Sequence, residues 1–209
     1  MWVYCTDKRV PEWEADRDKI KKVVIEEGVT GVGGRSFTPY DDVFYENLTS
    51  VSLPASLTVM QDNFGCCPNL AEIKLASGNK SFLLKDNNAL YTKDMTLLIR
   101  VVPTKVGKTF WIPSTVTNLY SYVFNGAENL ETVMIPPLDF VEGAVTTAFS
   151  YCTAKDFYFF GKPFGMLSIG MSPERIYHYP SIYADSWAPN GETTLYGSKN
   201  GIPIEPFDS

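Results

Sequence analysis

Apolar residues in this chain recur in short alternating triplets rather than in long helical stripes. Val23-Val-Ile25, Val51-Ser-Leu53, Ile73-Lys-Leu75, Phe110-Trp-Ile112, Val133-Met-Ile135 and Phe157-Tyr-Phe159 each set two apolar side chains two residues apart, and Tyr177-His-Tyr179 closes the series loosely. Such alternation predicts strands, because successive side chains of a strand point to opposite faces. The outer members of each triplet are assigned to the core and the middle members to solvent. Pro54, Pro113, Pro136 and Pro180 stand directly after their strands, where a residue with a fixed φ and no N–H ends a ladder without breaking it.

Two longer stretches place the triplets in a repeat. Leu48-Thr-Ser-Val51-Ser-Leu53-Pro54 leads through Leu57-Thr-Val59 to Phe64 and Cys67-Pro-Asn-Leu70, and Leu130-Glu-Thr-Val133-Met-Ile135-Pro136 leads to Ala148-Phe149 and Tyr151-Cys152. Self-similarity at a period of roughly 20 to 29 residues is the mark of a leucine-rich-repeat solenoid, β-rich, with a parallel main sheet and short turns or helical segments on the other side. An ordinary β sandwich is the alternative for scattered triplets, but it does not account for the recurring Phe and Cys positions. Between Ile73-Lys-Leu75 and Phe110-Trp-Ile112 the spacing stretches by about fourteen residues. Phe82-Leu-Leu84 and Ala89-Leu-Tyr91, joined by polar Asp86-Asn-Asn88, predict a hairpin insert, with Leu97-Leu-Ile99 as a further strand and Gly107 turning back into the main sheet.

These residues also carry a family resemblance. Ile20-Lys-Lys-Val-Val-Ile-Glu-Glu-Gly-Val-Thr30, Leu48 to Pro54, Ile112-Pro-Ser-Thr-Val-Thr117 and Phe124 through Asn129-Leu130 resemble the BspA-like leucine-rich-repeat family of microbial surface proteins, and the insert from Asn79-Lys-Ser-Phe82 to Leu97-Leu-Ile99 resembles its hairpin-bearing repeat. The resemblance runs from about Ile20 to Pro180. It implies a right-handed coil on a secreted or surface-anchored protein, with adhesion or partner binding as the usual role, and it supplies no catalytic residues.

The whole chain, 1–209, is taken as one leucine-rich-repeat domain, which its length and 44% hydrophobic content permit. Residues 1–19 are assigned to an N-terminal cap, 20–180 to repeats with the insert at about 79–107, and 181–209 to a C-terminal cap and tail. In the first segment Pro11 and the acids after it predict a short helix. Trp2, Val3, Tyr4 and Trp13 suit the covering of an open solenoid end, and Trp13 is alternatively a binding residue. Gly31 to Gly34 are assigned to turns, with no phosphate-loop spacing. Thr38 to Tyr45 lengthens the first repeat, and its Asp41-Asp42 pair is a solvated acidic loop or a cation site. Trp187 is placed across the end of the core. Residues Ser198 to Ser209, with Pro203 and Pro206, read as an extended tail or linker.

Charge then narrows the partners. A net charge of -6 with dispersed Lys and Arg argues against nucleic acid, whose phosphates require clustered cations. No segment approaches the length of a membrane span. Met1 to Cys5 is cut off from any signal-peptide core by Asp7, Lys8 and Arg9, leaving a cytosolic protein or a trimmed piece of an exported one; the family resemblance favours an extracellular or cell-surface location. Cys67 and Cys152 share a repeat position as small buried hydrophobes. No CxxC spacing points to zinc, no metal or cofactor is expected, and Cys5 and Cys66 are unassigned. The sequons Asn47-Leu-Thr49 and Asn79-Lys-Ser81 become relevant only on export by a eukaryote.

Function is sought on the outward middle column: Val24, Ser52, Lys74, Trp111, Met134, Tyr158 and His178 on one continuous sheet, flanked by Lys22, Ser50, Glu72, Thr109, Thr132, Asp156 and Ile176. The candidate ligand-binding residues are Trp111, Met134, Tyr158, His178 and Lys74. An exposed aromatic patch marks a recognition surface, unless the insert or a C-terminal segment covers it. The expected partner is a protein on a host, matrix or neighbouring-cell surface, with a glycan as the competing ligand. The sole histidine, His178, has no nucleophile motif beside it and is read as an exposed sheet residue. Glu26-Glu27, successive on a strand, point apart. The chain is therefore expected not to be an enzyme, a glycoside-directed enzyme being the alternative, for which two suitably spaced carboxylates are needed.

Overall fold

The computed structural model describes residues 2–3, 11–34, 36–37, 44–61, 64–137, 147–161, 175–188 and 203–208. Its strands follow the chain as β1 (Trp2–Val3), β2 (Lys22–Val24), β3 (Gly31–Val32), β4 (Ser50–Leu53), β5 (Val59–Met60) and β6 (Glu72–Leu75); the insert as β7 (Phe82–Lys85), β8 (Ala89–Thr92) and β9 (Leu97–Val101); and then β10 (Thr109–Trp111), β11 (Asn118–Leu119), β12 (Thr132–Ile135), β13 (Asp156–Phe159), β14 (Ile176–Pro180) and β15 (Ile204–Phe207). All pairings are parallel except those of β7 with β8 and β8 with β9. This is the predicted parallel β-solenoid. Most outer triplet members go inward as expected: Val51, Val133, Phe157 and Phe159 are buried, and Ile112 and Ile135 are 3% and 1% exposed, whereas Val23, Ile25 and Leu75 are half-buried against the core.

The main sheet is not continuous. It divides into a three-stranded sheet, β2-β4-β6, and a five-stranded one, β10-β12-β13-β14-β15. The insert stands between them as a wall rather than a bulge. Alternation along its strands sends Phe82, Leu90 and Ile99 into an N-terminal core with Val51, Leu57 and Ile73. Ala89, Tyr91, Leu98 and Val101 enter a C-terminal core with Phe124, Val133 and Phe157. A sheet whose two faces each meet a core keeps little solvent side, which is why its strands are mostly apolar, although Leu83 and Leu84 of β7 are half-buried and the turn after them is polar and exposed. Gly31 and Val32, assigned to a turn, instead form the strand β3 between β1 and β5.

Buried polar side chains clamp the turns. Arg100, 0% exposed, donates from Nη1 to the carbonyls of Tyr122 and Val123 and from Nη2 to those of Cys67 and Asn125, at 2.8–3.0 Å. Burial pushes its guanidinium down to about 10, so it is still a cation at neutral pH. Arg175 repeats the device, donating to Phe149 and Cys152 carbonyls while lying 5.2 Å from the Phe157 ring centroid. Asn79 donates to the Pro54 and Leu57 carbonyls and accepts from the Ser81 and Phe82 amides; with its nitrogen committed inside the protein, this sequon cannot carry a glycan. At Gly126, φ +79°, a Cβ would fall 2.0 Å from the Pro68 carbonyl oxygen, so only glycine fits.

The ends follow the sequence in part. Glu12–Lys19 is a 3-10 helix that starts directly after Pro11, whose carbonyl accepts from the Glu14 amide. Trp13 stacks on Phe37 at 5.5 Å and donates to the Ser36 carbonyl, so it covers the core as expected. Trp187 is 4% exposed, stacks on Tyr179 at 5.6 Å and donates to the Gly161 carbonyl. The tail departs from expectation: Ile204–Phe207 is no linker but the last strand of the sheet, paired with β14. Pro206 hid it in the sequence, yet an edge strand tolerates a residue without a donor. Cys66, Cys67 and Cys152 are buried and unbridged. Tyr4, Cys5, Asp41, Asp42, the turn after Gly161 and residues 189–202 lie outside the described residues.

Candidate functional site

Strand register builds the outward row. Trp111 faces Met134, Met134 faces Tyr158, Tyr158 faces His178, and His178 faces Glu205. The predicted residues of the C-terminal half therefore do stand side by side. Trp111 is 63% exposed, and Met134 and Tyr158 are half-buried. Val24, Ser52 and Lys74 form a separate row on the other sheet, because the insert intervenes. Lys74 is thus not part of the aromatic face; it is exposed and pairs with Glu72 at 3.3 Å. That ammonium, with the Ser50 hydroxyl, holds the Glu72 carboxyl below its ordinary range.

His178 also departs from expectation, being only 9% exposed. Its Nε2 lies 2.8 Å from Asp156 Oδ1 and its Nδ1 3.7 Å from Glu205 Oε2. Its ring stacks on Tyr158 at 4.1 Å. The cause is β15: a fifth strand beside β14 turns the predicted last strand into an interior one and brings Glu205 against the imidazole. Two acids on neighbouring strands are thereby spent on one histidine, and they face its opposite nitrogens rather than a shared point. Among the described residues no cluster of three or more His, Cys, Asp or Glu could hold a metal.

Two further rings complete the face. Phe160 stacks on Trp111 at 5.8 Å, and Phe207 packs edge-on to both Phe160 and Tyr158 at 5.5 Å. An aromatic ribbon thus runs from Trp111 through Phe160 and Phe207 to Tyr158 and His178. Phe160 was legible in the sequence, two residues beyond outward Tyr158 and so on the same face. Phe207 was not, since its strand went unrecognised. The C-terminal segment covers the Tyr158 end of the row and leaves the Trp111 end open.

Beside Trp111 the sheet ends, and a groove of ≈ 220 Å³ separates β10 from the turn of the β7–β8 hairpin. Trp111 and Pro113 form one wall; Lys85, Asp86 and Asn88 form the other, with Tyr91 between them. Burial, and then the charge of Asp86, push the Tyr91 phenol up to about 12, so it stays protonated. A larger groove of ≈ 540 Å³ lies at the N-terminal end, lined by Trp13, Val23, Ile25 and Phe37 among others.

Residues 15–91 and 106–164 match the family model of the BspA type leucine rich repeat region, in 6 copies. Among solved structures, a leucine-rich repeat protein from Eubacterium ventriosum is 18% identical over 86% of this chain and 71% of its own, with a TM-score of 0.42. The pneumococcal vaccine antigen PcpA is 15% identical over 90% of this chain and 68% of its own, with a TM-score of 0.42. A leucine rich cell surface protein from Faecalibacterium prausnitzii is 18% identical over 92% of this chain and 61% of its own, with a TM-score of 0.49. No curated protein matches the sequence.

Proposed function

The chain belongs to the BspA-type leucine-rich-repeat family, and from that premise we propose that it is a non-enzymatic binding module of a secreted or cell-surface protein. Residues 1–209 act in this reading as one repeat domain, and the partner is a protein of a host, matrix or neighbouring-cell surface. The carrying observation is the open end of the aromatic ribbon, where Trp111 is 63% exposed on a row held in register by β10, β12 and β13. A rigid sheet presents these side chains at little ordering cost, and large aromatics of this kind dominate interface energetics. Around them Asp156 and Glu205 keep side-chain exposures of 39% and 58%, and the chain carries -6 overall. The complementary partner presents an apolar side chain bordered by Lys or Arg. Of the predicted residues, Trp111, Met134 and Tyr158 make the contact, His178 holds Tyr158 from beside, and Lys74 belongs to a different surface. No helix among the described residues is long and apolar enough to cross a membrane.

The test is binding to a panel of purified extracellular-matrix and host-surface proteins by biolayer interferometry. Trp111→Ala should weaken the interaction about 30-fold, the scale of a hot-spot residue, and Tyr158→Ala should weaken it less. Equal binding by the parent and both variants would show that the face is idle.

A further inference from the structure

The groove between Trp111 and the hairpin turn has a different chemistry from the aromatic ribbon. We propose that it is a saccharide subsite that takes one neutral pyranose ring, stacked on Trp111 and hydrogen-bonded to Asp86 and Asn88. This goes beyond the protein-binding reading and does not rest on it, although Trp111 takes part in both.

Three observations carry the assignment. First, one face of the Trp111 indole is occupied by Phe160 at 5.8 Å, yet 63% of the residue is still exposed. An indole face is electron-rich and attracts the C–H side of a sugar ring. Second, the opposite wall offers mixed donors and acceptors: a carboxylate at Asp86, an amide at Asn88 that both donates and accepts, and the ammonium of Lys85. None of these three side chains has a hydrogen-bond partner among the described residues. Third, the wall is held in place. Asp86 and Asn87 sit at φ 50° and 56°, the Asn88 amide closes the turn on the Lys85 carbonyl, and β8 behind them pairs on both sides.

Size and charge choose among ligands. A volume of ≈ 220 Å³ lies under the roughly 300–1,000 Å³ of sites for drug-sized molecules, so one ring fits and a longer chain extends outside. An anionic ligand would face Asp86, and a cationic one Lys85. A neutral polyol offends neither, since its hydroxyls donate to the carboxylate and accept from the amide and ammonium. Apolar peptide side chains would leave all three polar groups without partners at a desolvation cost.

The probes are the methyl glycosides of glucose, galactose and mannose and their disaccharides, titrated into the full chain. Binding is read from the indole N–H resonance of Trp111, identified by its loss in Trp111→Phe. One glycoside should shift that resonance saturably. Asp86→Gly, which keeps the left-handed turn, and Asn88→Ala should each weaken binding about tenfold, the effect of one lost hydrogen bond to a fixed group. Tyr158→Ala should not alter it. Absence of a saturable shift with every glycoside would overturn the proposal, as would unchanged affinity in both Asp86→Gly and Asn88→Ala. Protein capture by the aromatic ribbon is unaffected by those two variants, so failure here and failure of the protein-binding reading are told apart.

Discussion

Arg100→Met should both destabilise the protein and loosen the coupling between its two cores. Arg100 is a fully buried cation whose four bonds run to backbone carbonyls and to no carboxylate. Three of those carbonyls keep another partner: Cys67 accepts from the Leu70 amide, Tyr122 from that of Asn125, and Val123 from that of Val101. Among the described residues, the Asn125 carbonyl alone of the four has no second backbone donor. Losing the guanidinium therefore costs one unsatisfied buried acceptor, about 1–3 kcal/mol, plus three charge-assisted bonds of about 1 kcal/mol or more each. Against this stands relief from burying a charge whose Nε has no hydrogen-bond partner, worth several kcal/mol by itself. The net expectation is a loss of about 2–4 kcal/mol. Arg100→Lys should be at least as damaging, because a point ammonium keeps the charge but cannot span four carbonyls. Cys67 lies in the N-terminal core and Val123 beside Asn125 in the C-terminal one. Of the remaining links, Asn125 Nδ2 donates to the Gly65 carbonyl and Tyr120 Oη to that of Met60. Denaturant unfolding followed by circular dichroism should show a lower midpoint and a broader transition, the signature of cores that no longer melt together. A Met variant within 1 kcal/mol of the parent with an unchanged slope, or a Lys variant milder than Met, would refute the clamp.

Other tests reach different parts of the molecule. Gly126→Ala should cost at least about 2 kcal/mol, since the new methyl meets the Pro68 carbonyl at 2.0 Å with φ at +79°; thermal melting measures it. Trp187→Ala should cost about 3–5 kcal/mol as a buried aromatic, whereas Trp111→Ala should change stability by no more than about 0.5 kcal/mol. Equal melting temperatures for those two variants would contradict the division between core and face. Stability should fall in alkali, because burial raises the Cys67 thiol from 9.0 to about 12 and the Cys152 thiol to about 11. Such an acid gives full stability below its unfolded pKa and loses it as pH climbs to the folded value. Arg100, lowered by burial to about 10, binds fewer protons folded than unfolded and acts in the opposite sense above pH 10. Urea midpoints should therefore decline from pH 9 upward, and Cys152→Ala should make that decline shallower; an identical slope would exclude the thiol as a source.

The coil, its strands and its inward side chains can be read from the residues alone. Side-chain alternation is a local rule, so Val51-Ser-Leu53 or Val133-Met-Ile135 announces its buried face without knowledge of its neighbours, and a repeat multiplies the signal. The row from Trp111 to Tyr158 was legible for that reason, as was Phe160 in principle. What each strand stands next to emerges only once the chain is folded. The hairpin's alternating residues read as an insertion, but its two faces each meet a core, and that splits the sheet and removes Lys74 from the row. Ile204–Phe207 reads as a tail because one proline breaks a short pattern, yet pairing with β14 makes it a strand, buries His178 and brings Phe207 to Tyr158. Nothing in the local pattern marks Arg100, and four carbonyls from turns distant in the chain make it a core residue. Such outcomes depend on contacts between segments far apart in the chain, and no local periodicity encodes which segment arrives.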